Sequence, residues 1–111
     1  MRIAIPLSGG RLSSHFGHCE QFALVDVDDD KRIVATTLRQ PPAHAPGALP
    51  QWLGQEHADV VLAGGMGRRA QQLFAECGIA VVVGAPPGEP EVLAAAYLNG
   101  TLTTSENVCD H

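Results

Sequence analysis

Residues His15, His18 and Cys19 bring two imidazoles and a thiol within five positions of one another, and Cys109 with His111 repeats the combination near the far end. Imidazole nitrogen and thiolate sulfur are the donors of zinc, copper(I) and iron-sulfur clusters, whereas magnesium and calcium take oxygen. Gly17, between the histidines, frees the backbone to fold so that neighbouring side chains converge. The spacing matches no zinc finger and no C-x-x-C pair is present, so these donors suit an open, exchangeable site rather than a closed structural one. The plain alternative is a pair of solvated loop histidines and an exposed tail. A Cys-His nucleophile drawn from Cys19 lacks a third orienting group, and no two carboxylates stand ready for hydrolysis, so the residues argue against an enzyme.

Gly64-Gly65-Met66-Gly67, followed by Arg68 and Arg69, is a second candidate. Backbone N–H groups at a helix start bind anions, and two guanidinium groups add charge, so residues 64–69 could serve a small-anion or nucleotide-binding regulatory module. The stretch lacks both the Walker lysine and G-x-G-x-x-G, which leaves a simple packing turn as the alternative. An anionic metal-sulfur cluster would be held by the same physics. Asp26, Asp28 and Asp30 have the spacing of a calcium loop, but Lys31 and Thr37 stand where glycine and glutamate are needed, so the run reads as a charged hairpin turn. Cys77 falls on a helical core stripe and reads as a small buried hydrophobe, and His44 as a solvated loop residue.

The bulk properties narrow the partners. A chain of 111 residues suits one domain, residues 1–111, able to bury roughly 65% of its unfolded surface. With only five aromatics it offers no stacking platform for single strands, and a net charge of -5 argues against a phosphate-backbone partner, so no nucleic acid is expected. No apolar run approaches the ~20 residues of a membrane span and no leader is visible, so the expectation is a cytoplasmic chain with thiol cysteines, a monomer or weak homodimer.

The elements that must position these groups follow from periodicity and turn residues. Strands are expected at 2–6, 21–27, 32–38, 60–63 and 79–83, the second buried mainly on its Ala23, Val25 and Val27 face, with a long loop at 8–17 after the first. A connector at 40–50 with four prolines leads into a helix at 50–57 whose inner side carries Leu49, Trp52 and Leu53. Further helices are expected over 68–77, with Met66, Ala70, Leu73, Phe74 and Cys77 as its stripe, and around Val92, Leu93, Ala96 and Tyr97, ending at Asn99-Gly100. The result is an α/β fold, a mixed five-stranded sheet of order 3-2-1-4-5 flanked by about three helices. The loops at 7–19, 64–67 and 84–90 then leave the carboxyl ends of parallel strands and form the ligand crevice. The tail, residues 101–111, starts at the opposite end, but eleven extended residues reach about 36 Å against about 17 Å for a strand, so it can return.

Four stretches together are specific: Ile3-Ala4-Ile5-Pro6; Ser14-His15-Phe16-Gly17 with Phe22; Gly64-Gly65-Met66-Gly67 with Ala70 and Gly78-Ile79; and Asn107-Val108-Cys109-Asp110-His111. In these the chain resembles the nitrogenase iron-molybdenum cofactor biosynthesis family, the group of NifX, NafY and the carboxyl-terminal domain of NifB. The resemblance implies a ribonuclease-H-like fold without nuclease chemistry. It also implies transient, noncovalent binding of an iron-sulfur or molybdenum-iron-sulfur cluster, with zinc a lesser occupant, and a carrier role beside metallocofactor assembly proteins, as in nitrogen fixation. His15 is then the foremost ligand, and Cys109 and His111 match the family's ending. His18 and Cys19 join them on proximity alone, while Ser14, Gly17, Gly64, Gly65, Met66, Gly67 and Arg68 line the cofactor.

Overall fold

The aliphatic runs of the sequence are the strands of one sheet. The computed structural model describes residues 1–13, 16, 19–42 and 47–105. Its elements are β1 (Arg2–Ser8), β2 (Arg11–Leu12), β3 (Gln21–Val27), β4 (Ile33–Arg39), α1 (Ala48–Gln55), β5 (Val60–Leu62), α2 (Arg68–Glu76), β6 (Ala80–Val82) and α3 (Pro90–Asn99). The sheet runs β4-β3-β1-β5-β6, with β3 antiparallel to both β1 and β4, and β1, β5 and β6 mutually parallel.

A sixth strand corrects the expected five. Gly9 and Gly10, at φ 63° and 79°, close a two-residue hairpin that returns β2 onto β1, pairing Leu7 with Leu12 and Ser8 with Arg11. Two consecutive positive φ values are what a right-twisted two-residue hairpin demands, and two glycines supply them without strain. Glu20 holds this turn by accepting the Gly9 N–H at 2.7 Å. At the other end, Asp28 shapes the β3–β4 turn: its Oδ1 accepts the Asp30 and Arg32 N–H groups, both at 2.9 Å. The acidic run is thus a hairpin turn, as its composition indicates.

Both faces of the sheet are covered, which explains the unbroken apolar runs. Under α3, one cluster gathers Ile3, Ile5, Val25, Leu62 and Leu93; under α1 and α2, the other gathers Phe22, Leu24, Leu53, Val61 and Phe74. β3 is therefore buried on its Phe22 and Leu24 face as well as its valine face, a second correction to the expected pattern. Of the residues that mark the last helix, Val92 is exposed, and its buried residues are Leu93 and Ala94. α1 begins at Ala48, two residues before Pro50.

All three helices stop in the same way. Residue C′ takes a left-handed conformation, at His57 (φ 62°), Gly78 (φ 75°) and Gly100 (φ 72°). The next N–H then donates back across the last turn: Ala58 to Leu53, Ile79 to Phe74 and Thr101 to Ala96, at 3.0, 2.9 and 2.9 Å. This Schellman arrangement tucks the following apolar residue onto the helix, so Ile79 packs with Phe74 in the core. Ile79 thereby takes the place expected for Cys77, which is exposed, a third correction.

Arg2 fastens the end of the sheet opposite the carboxyl ends of β1, β5 and β6. Its Nε and a terminal nitrogen donate to both carboxylate oxygens of Asp26, at 2.7 and 3.3 Å, and its other terminal nitrogen donates to the Glu56 carbonyl at 2.6 Å. The guanidinium holds the Asp26 carboxyl below its usual range. Replacing Arg2 by alanine is expected to cost about 1 kcal/mol in urea unfolding at neutral pH. Because the folded carboxyl titrates lower than the unfolded one, the wild-type advantage should persist down to about pH 4 and shrink below it.

Candidate functional site

β1, β5 and β6 are parallel, and backbone hydrogen bonds tie together the segments beyond their carboxyl ends. Ser13 N–H donates to the Pro6 carbonyl at 2.9 Å, and Phe16 N–H donates to the Gly65 carbonyl at 3.0 Å. Gly84 N–H donates to the Gly64 carbonyl at 2.9 Å, and Ser105 N–H to the Gly84 carbonyl at 2.8 Å. Leu12 N–H reaches the Gly88 carbonyl at 2.9 Å. One chain of contacts, Phe16 to residues 64–65 to Gly84 to Ser105, therefore joins the first loop, the glycine-rich loop, the loop after β6 and the returning carboxyl-terminal segment.

Each connection has a local cause. The Phe16 ring is 6% exposed and meets Phe22 and Phe74 edge-on, with centroids 5.8 and 5.4 Å away, which fixes the middle of the first loop against the core. Gly84, at φ 78°, is buried beneath Ser105; a Cβ there would overlap the Ser105 carbonyl oxygen and lie 2.8 Å from its carbon. Only glycine allows that approach. The carboxyl-terminal segment reaches it because the turn at Gly100 reverses the chain and Leu102 packs on the cluster under α3. The return, which chain length merely permits, is thus built for residues 101–105.

Gly64, Gly65, Met66 and Gly67 connect β5 to α2, whose first residue is Arg68. Met66 is buried in the core and its carbonyl accepts the Gln71 side-chain amide at 2.9 Å, so this residue anchors the loop. Gly67 is the N-cap of α2 and contributes no capping side chain; Arg68 and Arg69, both exposed, stand in a first turn without an acidic residue. N–H groups at such a helix start, with positive charge beside them, favour an anion.

Cys19 is half-buried and packs against Phe16 and Phe22's cluster rather than standing on the open loop. Burial pushes its thiol up, so at neutral pH it holds its proton, and a metal would have to draw it out of apolar packing. Ser14, His15, Gly17, His18, His44, Cys109 and His111 lie outside the described residues. Among the described residues no group of three or more His, Cys, Asp or Glu side chains could hold a metal ion, and no helix is long and apolar enough to cross a membrane. The contact of Gly84 with Ser105 was not legible from the residue types, since nothing local to Gly84 distinguishes it from the chain's other turn glycines.

The dinitrogenase iron-molybdenum cofactor family, by its sequence profile, matches residues 1–100. The crystal structure of PH0822 superposes with a TM-score of 0.86 at 31% identity, over 95% of each chain. The apo form of the orange protein from Desulfovibrio gigas shares the fold, with a TM-score of 0.76 at 23% identity over 96% of this chain and 93% of that one. An uncharacterized protein of Methanocaldococcus jannaschii, MJ0580, is 28% identical over 85 residues, 73% of this chain and 72% of its own.

Proposed function

Since the chain belongs to the dinitrogenase iron-molybdenum cofactor family, we propose that it binds an iron-sulfur or molybdenum-iron-sulfur cluster transiently and carries it to metallocofactor assembly proteins. The observation that carries this reading is the hydrogen-bonded chain from Phe16 through residues 64–65 and Gly84 to Ser105. His15 adjoins Phe16 in sequence, and Cys109 lies four residues beyond Ser105, at most about 14 Å of extended chain. Phe16 and Ser105, the described residues beside these donors in sequence, thus belong to one hydrogen-bonded chain beyond the carboxyl ends of the parallel strands.

The chemistry of the donor set fits such a cargo. His15, Cys109 and His111 offer imidazole and thiolate to soft metals, and His18 a further imidazole, while the glycine loop and Arg68 favour the cluster's negative charge. Cys19, in apolar packing, is left out of the ligand set. The protein's work on this reading is to hold and release the cluster without transforming it, in a single ribonuclease-H-like domain located in the cytoplasm. The family does not favour the small-anion or nucleotide alternative.

Anaerobic incubation of the protein with an iron-sulfur or molybdenum-iron-sulfur cluster donor, followed by desalting, tests the proposal. Wild type should retain visible charge-transfer absorption, and a His15→Ala, Cys109→Ala double variant should lose most of it while keeping its circular dichroism. A colourless wild type, or a double variant as coloured as wild type, rejects the reading.

A further inference from the structure

β4 ends the sheet, and among the described residues no strand pairs with its outer edge. It is seven residues long, Ile33–Arg39, with neither proline nor charge before Arg39. Edge strands are ordinarily guarded by short length, lysine, proline or a bulge, because unpaired N–H and C=O groups template another strand. Here the irregularity is a register shift against β3, where Ala35 pairs with Asp26 and Ile33 with Val27, so that Val34 is the extra residue and its backbone is not matched on that side. Val34 and Leu38 are 63% and 55% exposed, among the few large apolar side chains left to solvent, and Thr36 stands exposed between them.

We propose that β4 is a self-association edge, on which a second copy of this chain pairs antiparallel about a two-fold axis through Thr36. In that register Thr36 faces its own copy, and Val34 of each chain faces Leu38 of the other, so the exposed apolar side chains cover each other in two cross-strand pairs. Ala35 then opposes Thr37 and Ile33 opposes Arg39, with no like charges directly opposed. Moving the axis to residue 35 would set Leu38 against Arg32, and moving it to residue 37 would set Val34 against Gln40; the Thr36 register alone pairs both apolar residues. One strand edge per copy buries well under the roughly 1,200 Å² of a stable interface, so the dimer is concentration-dependent. β3 and β1 separate β4 from β5 and β6, which leaves the loops after those strands open in both copies.

Sedimentation velocity from micromolar to millimolar concentration tests the edge, with the fold checked by circular dichroism. Wild type should show a reversible monomer–dimer equilibrium, and Thr36→Lys and Thr36→Glu should each weaken it at least about tenfold, by setting like charges opposite each other. An equimolar mixture of the two variants should regain the dimer, because lysine then faces glutamate at the axis. A wild type that stays monomeric throughout, as an edge serving only a foreign strand would, overturns the proposal. So does a dimer that either variant leaves unchanged, or a mixture that fails to recover.

Discussion

Replacing Phe16 by alanine should destabilise the protein by about 3–4 kcal/mol, the usual cost of deleting a buried aromatic ring. For a domain of this size that is a fall in Tm of roughly 10 °C or more. The ring is 6% exposed and wedged against Phe22 and Phe74, while Phe22 in turn meets Trp52 with centroids 5.5 Å apart, so its removal opens a void in a four-ring cluster. Phe16→Leu, which keeps most of the volume, should cost clearly less. Urea unfolding followed by tryptophan fluorescence reads both, since Trp52 reports on the cluster. Without the ring to seat it, the loop in Phe16→Ala is tied to Gly65 by the backbone N–H alone, so cluster retention should fall at temperatures where the variant is still folded.

Gly84→Ala should act where the carboxyl-terminal segment meets the loop after β6. An alanine at φ 78° costs about 1–2 kcal/mol from backbone strain alone, and its Cβ cannot coexist with the Ser105 carbonyl. Residues 101–105 must leave, which a protease should report as early cleavage there while the remainder stays resistant. A chain ending after Thr104 separates the two costs: in it, Gly84→Ala should cost only the strain, so the substitutions are expected to be non-additive. Gly88→Ala is the control, since a Cβ there meets Leu93 at an ordinary 3.5 Å and should be nearly neutral.

Much of the fold is written in local pattern, and the departures have identifiable causes. The apolar runs of β1, β3 and β5 and the glycines at helix ends mark strands and stops because each is a local requirement of backbone geometry. β2 escaped because two residues of strand leave no periodicity; Gly9-Gly10 between Leu7 and Leu12 was the available sign. Cys77 sits at the helical spacing of a core residue, yet the turn at Gly78 substitutes Ile79, a tertiary choice that spacing cannot express. Near the candidate site, the loops that follow the parallel strands β1, β5 and β6 were legible as strand-end loops. The seating of Ser105 on Gly84 was not, because it depends on two segments twenty-one residues apart meeting. Cys19 joined the ligand set by sequence proximity, and its half-buried packing against the cluster that holds Phe22 is a tertiary feature that proximity does not express.

Metal content per chain tests the central claim most directly. Protein purified or loaded without air, then desalted, should carry iron and sulfide, with or without molybdenum, in fixed proportion to protein, and His15→Ala, Cys109→Ala should carry little. Metal and sulfide that separate completely from wild-type protein after loading, or that the double variant retains in equal amount, would contradict a cluster carrier built on this crevice.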